Sequence, residues 1–123
     1  TGTSLREWKR AAQVEMAHEL VGLGLITTED AASDTPEEPA CRKYFMHGLG
    51  HSLGLGVHDI APIDGPLTPG WVMTVEPGIY IPDEGLAVRL ENDILITENG
   101  PVDLCEHVPI EPDEIEALLA RRG

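Results

Sequence analysis

Apolar side chains near the start of the chain recur at the three- or four-residue spacing of an α-helix. The apolar stripe consists of Leu5, Trp8, Ala12, Val14, Leu20 and Val21. Ser4 can cap this helix and Glu7, three residues later, can bond back to it, while Gly22 and Gly24 mark its end. The pattern therefore predicts an amphipathic helix of about five turns that packs on a sheet.

Residues 71–76 alternate in polarity as a β-strand does. The alternation places Glu76 on the same face as Thr74 and on the face opposite Met73. The proline and glycine at residues 77–78 are then expected to bend the chain. We predict a strand that ends in a carboxylate.

Residues 86–97 predict a second and longer strand, which we interpret as continuous. Its apolar face, suited to packing beneath helices, holds Val88, Leu90, Ile94 and Ile96. Glu91 lies on the other face, between Arg89 and Asp93. A carboxylate inside such a strand is costly unless a positive group meets it. A metal ion and Arg89 are both candidates for that group.

The remaining segments predict connections and one further helix. Residues 28–41 have no periodicity and are interpreted as an exposed loop with room for one helical turn, and residues 65–70 as a turn. Residues 111–116 open a terminal helix, whose acidic start and closing Arg121 and Arg122 complement the helix dipole.

Composition narrows the class of protein. The 123 residues suffice for one domain with a modest core. The net charge of −14 argues against a nucleic-acid partner, because nothing would neutralise the phosphates. The sequence has no apolar run of about 20 residues and no signal-peptide pattern, so we expect a cytoplasmic protein that does not enter a membrane. Cys41 and Cys105 lie far apart and are expected to be two unpaired thiols.

A glycine-rich segment with three histidines is the strongest candidate for chemistry. The candidate residues are His47, His51 and His58, followed by Glu76 and Glu91. Carboxylates can bridge two metal ions and imidazole adds a directional ligand, so this set suits a site that activates water to hydrolyse a peptide. Each residue alone also has a structural interpretation, since Glu76 could be a turn carboxylate and Glu91 the ion-pair partner of Arg89. The residues favour a metal site but indicate no substrate.

Three stretches carry a more specific signal. They are His47-Gly-Leu-Gly-His51-Ser-Leu-Gly-Leu-Gly-Val-His58-Asp59, Met73-Thr-Val-Glu76-Pro77-Gly78-Ile79-Tyr80 and Gly85-Leu-Ala-Val-Arg89-Leu-Glu91-Asn92-Asp93-Ile94. In this order and at these separations they resemble the metallopeptidases of the pita-bread fold, the family of aminopeptidase P, prolidase and methionine aminopeptidase. The sequences of residues 45–48 and 54–59 are most similar to that of aminopeptidase P. Residues 112–119 resemble the family's closing helix. The resemblance implies an α+β fold, with helices packed on one face of an antiparallel sheet.

Carried over position by position, the resemblance also implies roles. The implied metal ligands are His51, Glu76 and Glu91. Glu91 would bridge two ions, and Glu76 would also move a proton from the attacking water to the leaving amine. His47 and His58 would donate hydrogen bonds to the substrate carbonyl or the developing oxyanion. Arg89 would hold a neighbouring carboxylate in place.

The implied activity is that of an Xaa-Pro aminopeptidase, which releases the N-terminal residue before proline by means of a metal-bound hydroxide. Two divalent ions are implied, with manganese foremost and cobalt, zinc or iron as alternatives. The family's two further aspartate ligands precede the first helix, whereas Asp30 and Asp34 follow it. Residues 1–123 are therefore expected to be the C-terminal half of a catalytic domain, a single partial domain that is inactive alone. Exposed strand edges favour a homodimer or larger assembly.

Other functions stay open within the same resemblance. A prolidase, which cleaves Xaa-Pro dipeptides, would differ in pocket walls that these residues do not specify. A non-catalytic module of this fold would bind peptides or proteins without metal, although such modules typically lose ligands that are present here. A creatinase-like hydrolase is a third and weaker alternative.

Overall fold

The computed structural model of the protein describes residues 2–120. The α-helices in that range are α1 (Leu5–Gly22), α2 (Thr28–Ala32) and α3 (Pro112–Ala120). Short 3₁₀ helices occupy Ala40–Lys43 and Pro82–Glu84. The β-strands are β1 (Ser52–Leu53), β2 (Val72–Val75), β3 (Gly78–Ile81), β4 (Leu86–Arg89), β5 (Asn92–Thr97) and β6 (Gly100–Asp103). The terminal helix is confirmed, while Arg121 and Arg122 at its predicted end lie outside the described residues.

The strands form two antiparallel sheets. The larger has four strands in the order β1–β2–β5–β6, and the smaller consists of β3 and β4. Helix α1 lies against both sheets: its Trp8 shares a small hollow with Met73 and Ile94 of the larger sheet, and Ile79 of β3 packs against the core to which α1 contributes. This arrangement is the predicted α+β class, with helix packed on antiparallel sheet.

The prediction of one continuous strand over residues 86–97 is wrong. The chain changes sheets between β4 and β5, since β4 pairs with β3 whereas β5 pairs with β2 and β6. The alternation persists because both strands keep the same two-residue period, and a period does not specify a pairing partner. The apolar face is consequently divided. Val88 and Leu90 are exposed, and only Ile94 and Ile96 are half-buried.

The alternation pattern also fails to predict β1, β3 and β6. Strand β1 is two residues long, which is too short for a period to be distinguished from chance, and β3 and β6 begin at glycines, which are typical of turns. Strand β3 begins at Gly78, where a bend is predicted, and continues antiparallel to β4 with Ile79 opposite Val88. Strand β2 is confirmed, with Met73 and Thr74 both almost fully buried on its opposite faces.

Helix α1 begins and ends where the sequence predicts. The backbone and hydroxyl of Ser4 donate to the Glu7 carboxylate at 2.8 Å, and the Glu7 amide donates to the Ser4 hydroxyl at 3.2 Å. These hydrogen bonds from Ser4 lower the pKa of Glu7. The buried face of α1 differs from the predicted apolar stripe at one turn. Val14 is 48% exposed, and Ala17, three residues before Leu20, is buried instead.

The core lies between α1 and the first 3₁₀ helix. Its buried members are Ala17, Leu20, Cys41, Tyr44 and Phe45. Cys41 and Cys105 are free thiols, as predicted, and burial raises the pKa of the Cys41 thiol. The core therefore consists of one helix, one 3₁₀ turn and the side chains of β3 that pack beneath them.

The loop predicted over residues 28–41 contains helix α2, which occupies the expected helical turn. Its capping residue Thr27 donates a backbone N–H to Asp30 at 2.9 Å. Within residues 2–120, no helix combines the length and the apolar character that crossing a membrane requires. The cytoplasmic location and the absence of a nucleic-acid partner stay predictions.

Candidate metal centre

Three strand ends bring the predicted metal ligands together. His51 immediately precedes β1, Glu76 immediately follows β2, and Glu91 immediately precedes β5. Because β1 and β5 both pair antiparallel with β2, these positions lie side by side at one end of the larger sheet. One nitrogen or oxygen atom from each side chain lies within 4.8 Å of those from the other two. Residues far apart in sequence thus form one cluster.

The His51 ring presents Nε2 to this cluster. Its Nδ1 lies 3.1 Å from the carbonyl oxygen of Ser52, which can only accept, so Nδ1 carries the proton of the neutral ring. The Nε2 lone pair then faces Glu76 Oε1 at 3.3 Å. Two ligands that each lie about 2.0–2.2 Å from one ion are separated by about 3.0–3.5 Å. The distance between His51 and Glu76 therefore fits a shared divalent ion.

Backbone pairing fixes the segment that carries His51. The Thr74 amide donates to the His51 carbonyl oxygen at 2.9 Å, and the Glu76 amide donates to the Leu49 carbonyl oxygen at 2.7 Å. Between these bonds Gly50 passes so close to β2 that a Cβ there would lie 1.9 Å from the Thr74 carbonyl oxygen. Glycine is required at this position because any side chain would separate the two segments.

Glu91 and Arg89 occupy the open side of the cluster. Both residues are exposed, whereas Glu76 is 14% exposed at its side chain. Arg89 Nη1 lies 3.9 Å from Glu76 Oε2, so the carboxylate that faces Arg89 is that of Glu76. Water screens a half-exposed pair at this distance, so the pair contributes little to the stability of the fold.

His47 lies in an aromatic pocket formed by Phe45 and Tyr80. Its Nδ1 lies 2.8 Å from the Gly48 carbonyl oxygen and its Nε2 lies 2.8 Å from the Tyr80 hydroxyl, so both ring nitrogens have partners. Phe45 and Tyr80 pack edge-on against the ring at centroid distances of 5.0 and 5.3 Å. A Cβ at Gly78 would lie 3.2 Å from His47 Nε2, so the backbone approaches this pair closely.

His58 lies on an exposed loop whose conformation Asp59 maintains. The His58 ring packs edge-on against His51, with centroids 4.3 Å apart. The Asp59 carboxylate accepts hydrogen bonds from the amides of Ile60 at 2.8 Å and Leu55 at 2.9 Å, and these bonds lower its pKa. The loop thus keeps an exposed imidazole next to His51, a predicted ligand.

Two side chains at the site were not assigned a role from the sequence. The Thr74 hydroxyl lies 3.0 Å from the His51 amide nitrogen and 3.1 Å from Glu76 Oε1. The Tyr80 hydroxyl bonds to His47, as described above. A threonine or tyrosine in a strand has no chemical signature of its own. Their position inside a stretch that resembles the peptidase family was the available signal.

The aspartates that follow α1 serve the fold instead. Asp30 accepts from the Thr27 amide and hydroxyl at 2.9 Å and so caps α2. Asp34 pairs with Arg10 and accepts from the Ala40 amide at 2.7 Å, and the hydrogen bond from Arg10 lowers the pKa of Asp34. Both carboxylates are therefore engaged in contacts within the fold.

Comparison with known proteins identifies the family. Residues 1–98 match the model of metallopeptidase family M24. The chain is 39% identical over 135 residues to Xaa-Pro aminopeptidase 2 of Streptomyces coelicolor, an alignment that covers 98% of this chain and 28% of that relative. It is 41% identical over 130 residues to the Xaa-Pro aminopeptidase of Escherichia coli K12, covering 96% of this chain and 29% of the relative. The chain thus spans less than a third of the length of these curated relatives.

Solved structures share the architecture. Proline aminopeptidase P II from Yersinia pestis superposes with a TM-score of 0.80 at 42% identity, covering 97% of this chain and 30% of the other. Zn-substituted E. coli aminopeptidase P in complex with product gives 0.76 at 40% identity, covering 98% and 30%. The sheet and helices are therefore part of a pita-bread fold. The chain belongs to metallopeptidase family M24, and within that family it resembles aminopeptidase P.

Proposed function

We propose that this chain is part of an Xaa-Pro aminopeptidase, a hydrolase that releases the N-terminal residue of peptides with proline in the second position. Membership of a metallopeptidase family and similarity to Xaa-Pro aminopeptidases support the activity class. The observation that carries the proposal is the cluster of His51, Glu76 and Glu91, whose potential ligand atoms lie within 4.8 Å of one another. We further propose that residues 1–123 form a single partial domain, the C-terminal half of the catalytic domain.

The proposed ligands are His51 through Nε2 and the carboxylates of Glu76 and Glu91. When bound, divalent metal supplies an acidified water and stabilises negative charge on the substrate carbonyl oxygen. Glu91 is proposed to bridge two ions, since its carboxylate has two oxygens and lies on the open side of the cluster. Imidazole with carboxylates suits manganese, our first choice, and also cobalt, iron or zinc, the metal named for the substituted E. coli relative.

The protein's own groups are proposed to handle the proton and the developing charge. Glu76 Oε1 accepts a hydrogen bond from Thr74, which leaves Oε2 to take a proton from the attacking water and pass it to the leaving amine. His58 has an exposed ring beside His51 and is proposed to donate a hydrogen bond to the substrate carbonyl oxygen. His47 would do the same from Nδ1, after exchanging its bond to the Gly48 carbonyl oxygen, while Nε2 accepts from the Tyr80 hydroxyl.

Arg89 is proposed to orient the Glu76 carboxylate from the opposite side to Thr74. With Thr74 on Oε1 and Arg89 facing Oε2, the plane of the carboxylate is set relative to His51. This orientation matters because a base must lie within hydrogen-bond reach of the proton that it moves.

The alternatives differ in what they require of the same residues. A prolidase would use the same cluster and differ in the walls of the substrate pocket. A non-catalytic binding module has no need for the cluster, so the retention of His51, Glu76 and Glu91 counts against it.

The direct test is hydrolysis of an Xaa-Pro peptide with Mn²⁺ by a longer polypeptide that joins residues 1–123 to the family's two further aspartates, beside its variants His51→Ala and Glu76→Gln. We expect both substitutions to abolish Mn²⁺-dependent cleavage. Residues 1–123 alone are proposed to show no appreciable cleavage, because the family's two further aspartates have no counterpart among them. Equal metal titration curves for the wild type and H51A would support the binding module instead.

We also propose a homodimer or larger assembly. An open hollow of about 500 Å³ lies between α1 and β4 and is lined by apolar side chains, among them the exposed Leu23, Val88 and Leu90. An exposed apolar surface of this kind favours association. Analytical ultracentrifugation over a concentration series tests the proposal, and a monomer at the highest concentration would contradict it.

A further inference from the structure

Thr74 occupies a buried position between two of the proposed metal ligands. It lies in β2, two residues before Glu76, and only 2% of its surface is exposed. Its Oγ1 lies 3.0 Å from the backbone nitrogen of His51 and 3.1 Å from Glu76 Oε1. One hydroxyl group therefore contacts both the residue that presents the imidazole and the carboxylate beside it.

The chemistry of the partners fixes the direction of both hydrogen bonds. The His51 amide can only donate, so the Thr74 oxygen accepts there. An ionised Glu76 carboxylate can only accept, so the single hydroxyl proton points to Oε1. The branched Cβ of threonine restricts χ1 in a strand, which keeps the hydroxyl in one orientation. The bonds are therefore directional and complementary.

We propose that Thr74 is a positioning residue of the metal centre, which sets the spacing between His51 and Glu76 through a single hydroxyl group. The inference rests on the proposed function, because it takes His51 and Glu76 to be ligands. By occupying Oε1, the hydroxyl also determines which carboxylate oxygen is turned towards Arg89. Partners that orient a metal ligand typically change metal affinity by about 10- to 100-fold.

The variants are chosen to separate the effect of losing the Thr74 hydroxyl from the effect of changing the shape of the side chain. Valine at position 74 keeps the branched shape but provides neither hydrogen bond, and it leaves the partly buried His51 amide without its acceptor. Serine keeps the hydroxyl and loses only the methyl group. Thr74→Val is therefore the test and Thr74→Ser its matched control.

The experiment titrates the metal alone into the purified protein, with Mn²⁺ followed by calorimetry and Co²⁺ by its visible absorption. We expect T74V to weaken Mn²⁺ binding by about tenfold or more and to change the Co²⁺ spectrum, and T74S to stay within about threefold of the wild type. Urea unfolding of the metal-free variants reports stability separately. Wild-type affinity and spectrum in T74V would overturn the inference, even if T74V unfolds at lower urea.

Two further results keep the test decisive. If T74V does not fold, Thr74→Ala removes the same hydroxyl without placing a methyl group against the carboxylate, and wild-type affinity in T74A overturns the inference. The variant His51→Ala distinguishes the two proposals. Metal binding that is lost in H51A but intact in T74V contradicts only the role of Thr74, whereas no metal binding by the wild type contradicts the proposed function as well.

Discussion

Among residues 2–120, two groups of histidine and glutamate side chains could hold a metal ion, and they differ in how the chain holds them. His51, Glu76 and Glu91 come from three strand ends. The second group lies on successive positions of one helix face and consists of Glu15, His18 and Glu19. In both groups the potential ligand atoms lie within 4.8 Å of one another, so ligand type and proximity alone do not distinguish them.

The difference lies in the surroundings. The His18 and Glu19 side chains are 82% and 65% exposed, and His18 Nδ1 lies 3.7 Å from Glu19 Oε1. The His51 and Glu76 side chains are 23% and 14% exposed, and the Ser52 carbonyl and the Thr74 hydroxyl hold them. Ordering a free side chain costs up to about 2 kcal/mol each. The fold therefore already orders His51 and Glu76 of the strand-end group, whereas the exposed side chains of the helix group would have to be ordered on binding.

The largest expected effect comes from removing one histidine from each group. We predict that His51→Ala weakens Mn²⁺ binding by more than about 100-fold, since even partners behind a ligand account for about 10- to 100-fold. His18→Ala should leave the affinity within about twofold of the wild type. Calorimetric titration of both variants measures the comparison. A similar loss in H18A would show that the helix group binds metal too and would remove the distinction.

A second prediction concerns the backbone that supports each group. Gly50→Ala places a Cβ 1.9 Å from the Thr74 carbonyl oxygen, so β2 and the His51 segment must separate. We expect the free energy of unfolding to fall by about 1–3 kcal/mol, with metal affinity falling as well. Gly22→Ala, at the end of α1, meets no atom within 4 Å and should be neutral or stabilising by up to about 1 kcal/mol.

Urea unfolding of G50A and G22A, each with and without Mn²⁺, checks this second comparison. The two substitutions add the same methyl group, so a difference between them reports the closeness of the backbone at Gly50. Equal stability of G50A and the wild type would mean that the His51 segment does not need its contact with β2.

The sequence predicts helix α1 more completely than it predicts the pairing of the strands. The ends of α1 and its capping box follow from Ser4, Glu7 and Gly22, because all the interactions that define them are local. The strand change between β4 and β5 depends on pairing with β2 and β3, which alternation does not encode. Local pattern thus predicts a helix better than it predicts which strands pair.

The candidate site shows the same limit. The resemblance identified His51, Glu76 and Glu91, and the structure brings these residues together. It assigned nothing to Thr74, because a threonine in a strand pattern is indistinguishable from one that only fills space. Its role depends on two partners that the sheet places around it, and one of them lies 23 residues away.

The smallest expected effect is the response of the His58 loop to acid. Hydrogen bonds from the amides of Ile60 and Leu55 lower the pKa of Asp59 below its ordinary value of 3.8. A carboxyl whose pKa is lowered by folding stabilises the loop fully above the unfolded value, and the contribution is lost as the pH falls through the folded value. We therefore expect the loop to be intact at neutral pH and to loosen only below about pH 4.

NMR titration of the Leu55 and Ile60 amides checks this prediction, with the capping box of α1 as the comparison. Hydrogen bonds from Ser4 lower the pKa of Glu7 as well, so the Ser4 amide should also shift at acidic pH. Asp59→Asn removes the titrating group and should abolish the shift at the loop while leaving that at Ser4 unchanged. Shifts of Leu55 and Ile60 that persist in D59N would mean that another group controls the loop, and the carboxylate would not be what keeps His58 beside His51.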